Sequence, residues 1–301
     1  MQILFDSSKE SAPVVTDTYV APLPPVDPWP RNPPDMIDLD LVDLATIQKA
    51  KFLDGNPGFD GQGTALHYGD MTGALTITNH PDGTQSADYS NKLAGTGFTP
   101  TFGVESNGLR YLETGTVNQP RAIDWWLRRF DLGEAYSRFM VYVFPETLQN
   151  TTELGIKLSG FANDPNVSPG TFAEIFELGN ITPIPAAQRT GFPLQAYRYD
   201  AEGAQGVSIF PNISILPGRW YTMEEHVKVP SSGADGVIEF KVDGKMVFAR
   251  SDVRMGAVRI TRFQVQIYHG GVKSPSGPIH FKIARVALSR KGWIGPAPEV
   301  Q

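Results

Sequence analysis

The sequence predicts an all-β protein: a jelly-roll sandwich of two antiparallel sheets behind an extended, proline-rich N-terminal arm. Three observations predict it. The 301 residues include 30 Gly and 25 Pro in short clusters, and such frequent breakers leave no room for long helices. From about residue 55 onward apolar residues recur with period two, the spacing of strands with one buried face. More than eight such runs lie in about 240 residues without a fixed repeat. That suits one two-sheet sandwich better than two small domains.

Residues 1–50 read as the arm. Pro13, Pro22, Pro24, Pro25, Pro28, Pro30, Pro33 and Pro34 fix φ and remove amide donors, so the stretch is extended and has no core of its own. It also carries Val14, Val15, Tyr19, Val20, Leu23 and Trp29, more apolar groups than a solvated linker needs. Composition alone also suits a disordered tail; the favoured expectation is an arm that buries these groups on another subunit of a larger assembly. A short helix is expected over 38–50, where Leu41, Leu44 and Ile47 share a face. Alternation of Ile37, Leu39 and Leu41 leaves a strand start open. The acidic residues of this stretch lack the spacing of a calcium loop and read as a solvated face.

Residues 51–301 read as the jelly roll. Strands are expected at 74–78, 138–144, 172–178, 221–229, 237–242, 246–249, 259–268 and 279–288. Asp243-Gly244 between IEFKV and KMVFA has the form of a two-residue hairpin turn.

Charge and motifs exclude more than they assign. With 26 basic against 32 acidic side chains the net charge is −6, which disfavours nucleic acid as a partner. No basic run marks an anionic membrane surface, and no stretch nears the roughly 18 apolar residues of a membrane span. A soluble chain made without a signal peptide is expected. Without Cys there is no disulfide scaffold or thiolate zinc site. No P-loop, dinucleotide fingerprint, HExxH or GxSxG is present. The five histidines lie far apart in sequence, so no metal site is expected; no cofactor is expected either, and structural calcium in a loop is left open.

The informative residues sit on strands. In 218–229 alternation puts Glu225, Val227 and Val229 on one face, buried by the valines, and Glu224, His226 and Lys228 on the other. In 262–271 Phe263, Val265 and Ile267 point inward, leaving Gln264, Gln266 and Tyr268 opposite, with Tyr197 and Tyr199 on one face of 196–200. Amides, tyrosines and a few charges suit sugar hydroxyls and C–H faces, although any solvated sheet face is polar as well.

Several blocks resemble a family. GRWYTMEEHVKV, then SSGADGVIEFKVDGKMVFARSDVRM, then FQVQIYHGG are similar to the C-terminal half of polysaccharide lyases of the alginate- and glucuronan-lyase type. EAYSRFMVYVF followed by GIKLSGF resembles their upstream block, with Ser159 where that block usually has proline and Tyr268-His269 where paired aromatics are usual. The likeness covers about residues 125–290 and implies a concanavalin-like jelly roll with a saccharide-sized cleft on its concave sheet. Eliminative cleavage of a uronan requires neutralising the substrate carboxylate, a base for the C5 proton and an acid for the departing O4. Gln264, Gln266 or Lys157 suit the first role, His226 or His269 the second, and Tyr268, Tyr197 or Tyr199 the third. Glu224 and Lys228 join them as sugar contacts.

The leading expectation is an assembly-anchored structural subunit, of virion-decoration or tail-associated type, displaying a carbohydrate-binding jelly roll outside the cell. Polysaccharide lyase is the alternative. A third reading is a module that grips glycan without cutting it.

Overall fold

The computed structural model describes residues 36–39, 64–67, 76–79, 85–88, 101–117, 121–152, 155–162, 172–179, 181, 183–199, 206–209, 213–255, 259–269 and 275–297. The chain divides into two units, residues 1–33 and 34–301, and the described residues all fall in the second. Val14, Val15, Tyr19, Val20, Leu23 and Trp29 of the expected arm, and residues 40–50 of the expected helix, lie outside them.

In chain order the strands are β1 (Met36–Leu39), β2 (Thr64–His67), β3 (Thr76–Asn79), β4 (Gln85–Asp88), β5 (Thr101–Val104), β6 (Arg110–Thr116), β7 (Arg121–Leu132), β8 (Glu134–Val143), β9 (Ile156–Ala162) and β10 (Phe172–Leu178). There follow β11 (Phe192–Tyr199), β12 (Gly206–Ile209), β13 (Ser214–Ile215), β14 (Trp220–Lys228), β15 (Gly236–Val242), β16 (Lys245–Val253), β17 (Ile260–His269) and β18 (Ile279–Ser289). Among the described residues one short helix, α1 (Pro145–Asn150), and a 3₁₀ turn at Ala186–Gln188 interrupt them. No helix among the described residues is long and apolar enough to cross a membrane. Residues 36–39 are a strand paired with β18, the strand start that the alternation of Ile37 and Leu39 left open.

The strands form two antiparallel sheets, the predicted jelly-roll sandwich. One runs β16-β15-β14-β8-β18-β6-β5-β4-β3, with β1 also on β18; the other runs β12-β11-β10-β9-β17-β7-β2, with β13 on β11. The apolar parity of each strand turns one face inward. Phe139 of β8 meets Phe176 of β10 with ring centroids 6.4 Å apart, and Phe176 meets Phe240 of β15 at 4.8 Å. These buried rings join the two sheets in one core.

Two local features set the outer side of the first sheet. Asp243 and Gly244 turn the β15–β16 hairpin with φ of 50° and 75°, as the primed turn requires, and Asp243 Oδ1 accepts the Thr222 N–H at 2.9 Å. In β18 a bulge between Ala284 and Ala287 puts Arg285 at φ 49°. Before the bulge β18 pairs with β6, and after it with β1. The kink presents the Arg285 carbonyl to the buried Arg138 guanidinium, whose Nε donates to it at 3.1 Å.

Candidate functional site

β17 occupies the middle of the second sheet, between β7 and β9. Phe263, Val265 and Ile267 are buried in the core, so Gln264, Gln266 and Tyr268 fall on the outer face, as their spacing predicts. The neighbouring strands extend this row. Lys157 of β9 is the Cα partner of Tyr268, and its Nζ stands 5.2 Å from the Tyr268 ring centroid. Glu177 of β10 pairs with Lys157, and Gln195 of β11 pairs with Glu177. Four adjacent strands thus bring together an amide, a carboxylate, an ammonium and a phenol. Beside them, Gln264 is the Cα partner of Gly160 of β9.

Burial distinguishes this face from an ordinary solvated one. Gln264 is 1% exposed, Gln266 3%, Glu177 3% and Gln195 2%, whereas the polar outer face of an antiparallel sheet is normally open to water. Gln266 Nε2 is buried and has no hydrogen-bond partner, a state that costs about 1–3 kcal/mol until an acceptor arrives. Two glycines make room for the acidic side of the row. A Cβ on Gly155 would stand 2.9 Å from Glu177 Oε1, and one on Gly179 would stand 2.8 Å from Gln195 Oε1.

Glu177 and Gln195 escaped the reading of the sequence, although parity signals both. Phe176 and Leu178 flank the one, Leu194 and Ala196 the other, and all four flanking residues are buried. Strand register adds further positions. Trp126 and Asp124 of β7 are the Cα partners of Gln264 and Gln266, and His67 of β2 is that of Asp124. Tyr197 and Tyr199 lie two and four residues beyond Gln195 on β11, while His269 ends β17 opposite Ile156.

The structure does not bring Glu224, His226 and Lys228 into this row. They lie on β14 in the other sheet, so the single trough expected from the two strand patterns is corrected: β14 and β17 do not share a sheet. His226 is held there by both ring nitrogens. Nδ1 lies 2.7 Å from Glu239 Oε2 and Nε2 2.8 Å from Glu134 Oε1, and the ring stacks on Tyr136 at 4.0 Å. With a carboxylate oxygen against each ring nitrogen, neither nitrogen of this imidazole is turned toward a substrate, and its strand lies in the other sheet from the β17 row.

Partial burial pushes Glu134 up, but hydrogen bonds from Tyr136 and His226 outweigh it and hold the carboxyl below its ordinary value. Glu224 is buried under the C-terminal segment. Burial pushes its carboxyl up, against the Gly295 N–H that donates to it at 2.8 Å and the charges of Lys241 and Arg138. His280 repeats the pattern on β18, with Glu146 at 3.0 Å, Glu113 at 2.8 Å and Phe144 stacked at 3.5 Å. Among the described residues no group of His, Asp and Glu is arranged to hold a metal ion.

No family model matches the sequence, and no curated protein matches it. Solved structures do. An alginate lyase aligns at 12% identity and a TM-score of 0.48, over 87% of this chain and 99% of its own. An alginate lyase from a Chlorella virus aligns at 13% and 0.46, over 62% and 88%. An endo-β-1,4-glucuronan lyase from the fungus Trichoderma reesei aligns at 13% and 0.45, over 74% and 94%.

Proposed function

We propose that this protein is a polysaccharide lyase that cleaves a uronic-acid polymer by β-elimination on the outer face of β17. The observation that carries the reading is Gln266: a buried amide N–H without an acceptor, in a row that also holds Lys157 and Tyr268. A uronate carboxylate supplies that acceptor. Bound by Gln266 and the Lys157 ammonium, its charge is offset and the C5 proton becomes more acidic. A base then takes the C5 proton, the electron pair forms the C4–C5 double bond, and the C4–O4 bond breaks. Tyr268 returns a proton to O4. His269, which ends β17 after Tyr268, is the histidine of the sequence reading that remains for the base.

The reading agrees with the sequence blocks that resemble alginate and glucuronan lyases. It takes precedence over the assembly-anchored subunit, because the six arm side chains on which that expectation depends lie outside the described residues and no described residue speaks for it.

The test is incubation with alginate, glucuronan and other uronans while absorbance of the new double bond is followed. Activity on one of them that falls in Gln266→Ala and Tyr268→Phe supports the reading. Absence of product on every uronan, with glycan binding retained, favours the non-cutting module instead.

A further inference from the structure

On β9, Ile156, Leu158 and Phe161 all belong to the core. An odd number of positions separates Ile156 from Phe161, so strict alternation cannot turn both inward. The strand changes parity once between them, and the pairing shows where. Ser159 is the Cα partner of Phe176 on β10 and of Val265 on β17, and Lys157 is that of Glu177 and Tyr268. Leu158, between them, is an extra residue against β10, where Phe176 and Glu177 are consecutive. Against β17 it stands opposite both Gln266 and Ile267. Leu158 and Ser159 are neighbours in the chain, yet both are fully buried.

The parity change thus falls at Leu158–Ser159, a bulge directly beside Lys157. Bulges re-aim the side chains next to them. The parity that turns Ser159 and Phe161 inward would turn Lys157 inward as well. Beyond the bulge its Nζ instead stands 5.2 Å from the Tyr268 ring centroid, on the outer face.

Apolar burial alone does not fix this position. A parity change at Ser159–Gly160 would bury Ile156, Leu158 and Phe161 equally well, with Ser159 turned out. What holds Ser159 inward is polar. Its hydroxyl donates to Glu225, which alternation turns inward on β14 of the opposite sheet, where it is fully buried. Glu225 Oε2 is buried without a hydrogen-bond partner, so the bond from Ser159 is one that this carboxyl can ill lose.

We propose that Ser159 and Glu225 are positioning residues, whose contact across the sandwich holds the bulge at Leu158–Ser159 and so fixes the Lys157 ammonium beside Tyr268. Both lie in the core and act only through Lys157. Their effect on catalysis rests on the lyase reading; their effect on the place of Lys157 does not.

The test follows Lys157 itself, by nuclear magnetic resonance of the full chain with isotope-labelled methyl groups on its lysines. The Lys157 signal is identified by its absence in Lys157→Arg, and is expected to carry a ring-current shift that Tyr268→Leu removes. Ser159→Ala and Glu225→Leu are each expected to lose most of that shift, with an unchanged circular dichroism spectrum. Ser159→Thr keeps the donor and Glu225→Gln the acceptor, so both are expected to retain it. On a uronan that the parent cleaves, Ser159→Ala and Glu225→Leu are expected to lower kcat per folded molecule roughly tenfold or more, with KM changed less than about twofold. The two conservative variants are expected to restore kcat. No ring-current shift in the parent, a shift that persists in both Ser159→Ala and Glu225→Leu, its equal loss in the conservative variants, or an unchanged kcat where the shift is lost would each overturn the proposal. A shift lost as expected, with no product from any uronan, sinks the lyase reading alone and supports the placement.

Discussion

At the residue scale, the contrast between Gln266 and His226 decides where chemistry is placed. Both are polar, buried and on the outer side of a strand, at 3% and 6% exposure. Gln266 leaves an amide N–H without an acceptor, whereas His226 has a carboxylate at each nitrogen. Gln266→Ala is therefore expected to lower kcat/KM on the uronan substrate by roughly 10²-fold with little change in melting temperature. His226→Ala is expected to do the reverse. It leaves Glu134 and Glu239 facing an empty site at a cost of roughly 1–3 kcal/mol, read as a lower denaturation midpoint, while kcat/KM per folded molecule holds. Gln264, Gln266 and Tyr268 were legible in the sequence because period two and three flanking apolar residues fix their side. The engagement of His226 was not, since Glu134 lies 92 residues away and becomes its neighbour only through β8–β14 pairing.

At the scale of elements, strands with clean alternation were readable and irregular ones were not. The expected run at 172–178 is β10, and the expected run at 279–288 falls within β18. The bulge that lets β18 change partner at Arg285 has no signal in the sequence, because neither Ala284 nor Arg285 is a residue that favours a positive φ. Helix α1 also went unread, although Pro145 at its start and Glu146 in its first turn are ordinary N-terminal signals. The Asp243-Gly244 hairpin was legible, and it offers a clean measurement. A Cβ on Gly244 would meet nothing within 4 Å, so Gly244→Ala changes backbone conformational energy alone. At φ 75° the cost is expected to be about 1–2 kcal/mol, seen as a lower urea midpoint with an unchanged slope.

At the scale of the whole molecule, the two sheets are joined by apolar packing and, among the described residues, by a buried polar contact inside it. Alternation places Glu225 on the inward face of β14 with Val227, and it is fully buried there. Across the sandwich Ser159 of β9 donates its hydroxyl to the Glu225 carboxyl. That contact gives a physical reason for serine at a position where the resembled block carries proline, since proline has no hydroxyl to offer. Burial pushes the Glu225 carboxyl up to about 7 from its ordinary 4.5, against the hydrogen bond of Ser159. The folded state therefore prefers the protonated acid. The stability this group contributes is fully present below about pH 4.5 and is lost as pH rises to about 7, above which it changes no further. A shift of that size corresponds to about 3 kcal/mol. Glu225→Gln replaces the acid by a neutral amide of similar shape. The difference in unfolding free energy between variant and parent is expected to grow in the variant's favour from pH 4.5 to 7, then stay level to pH 9. A difference independent of pH would show that Glu225 ionises in the folded protein much as it does in the unfolded chain.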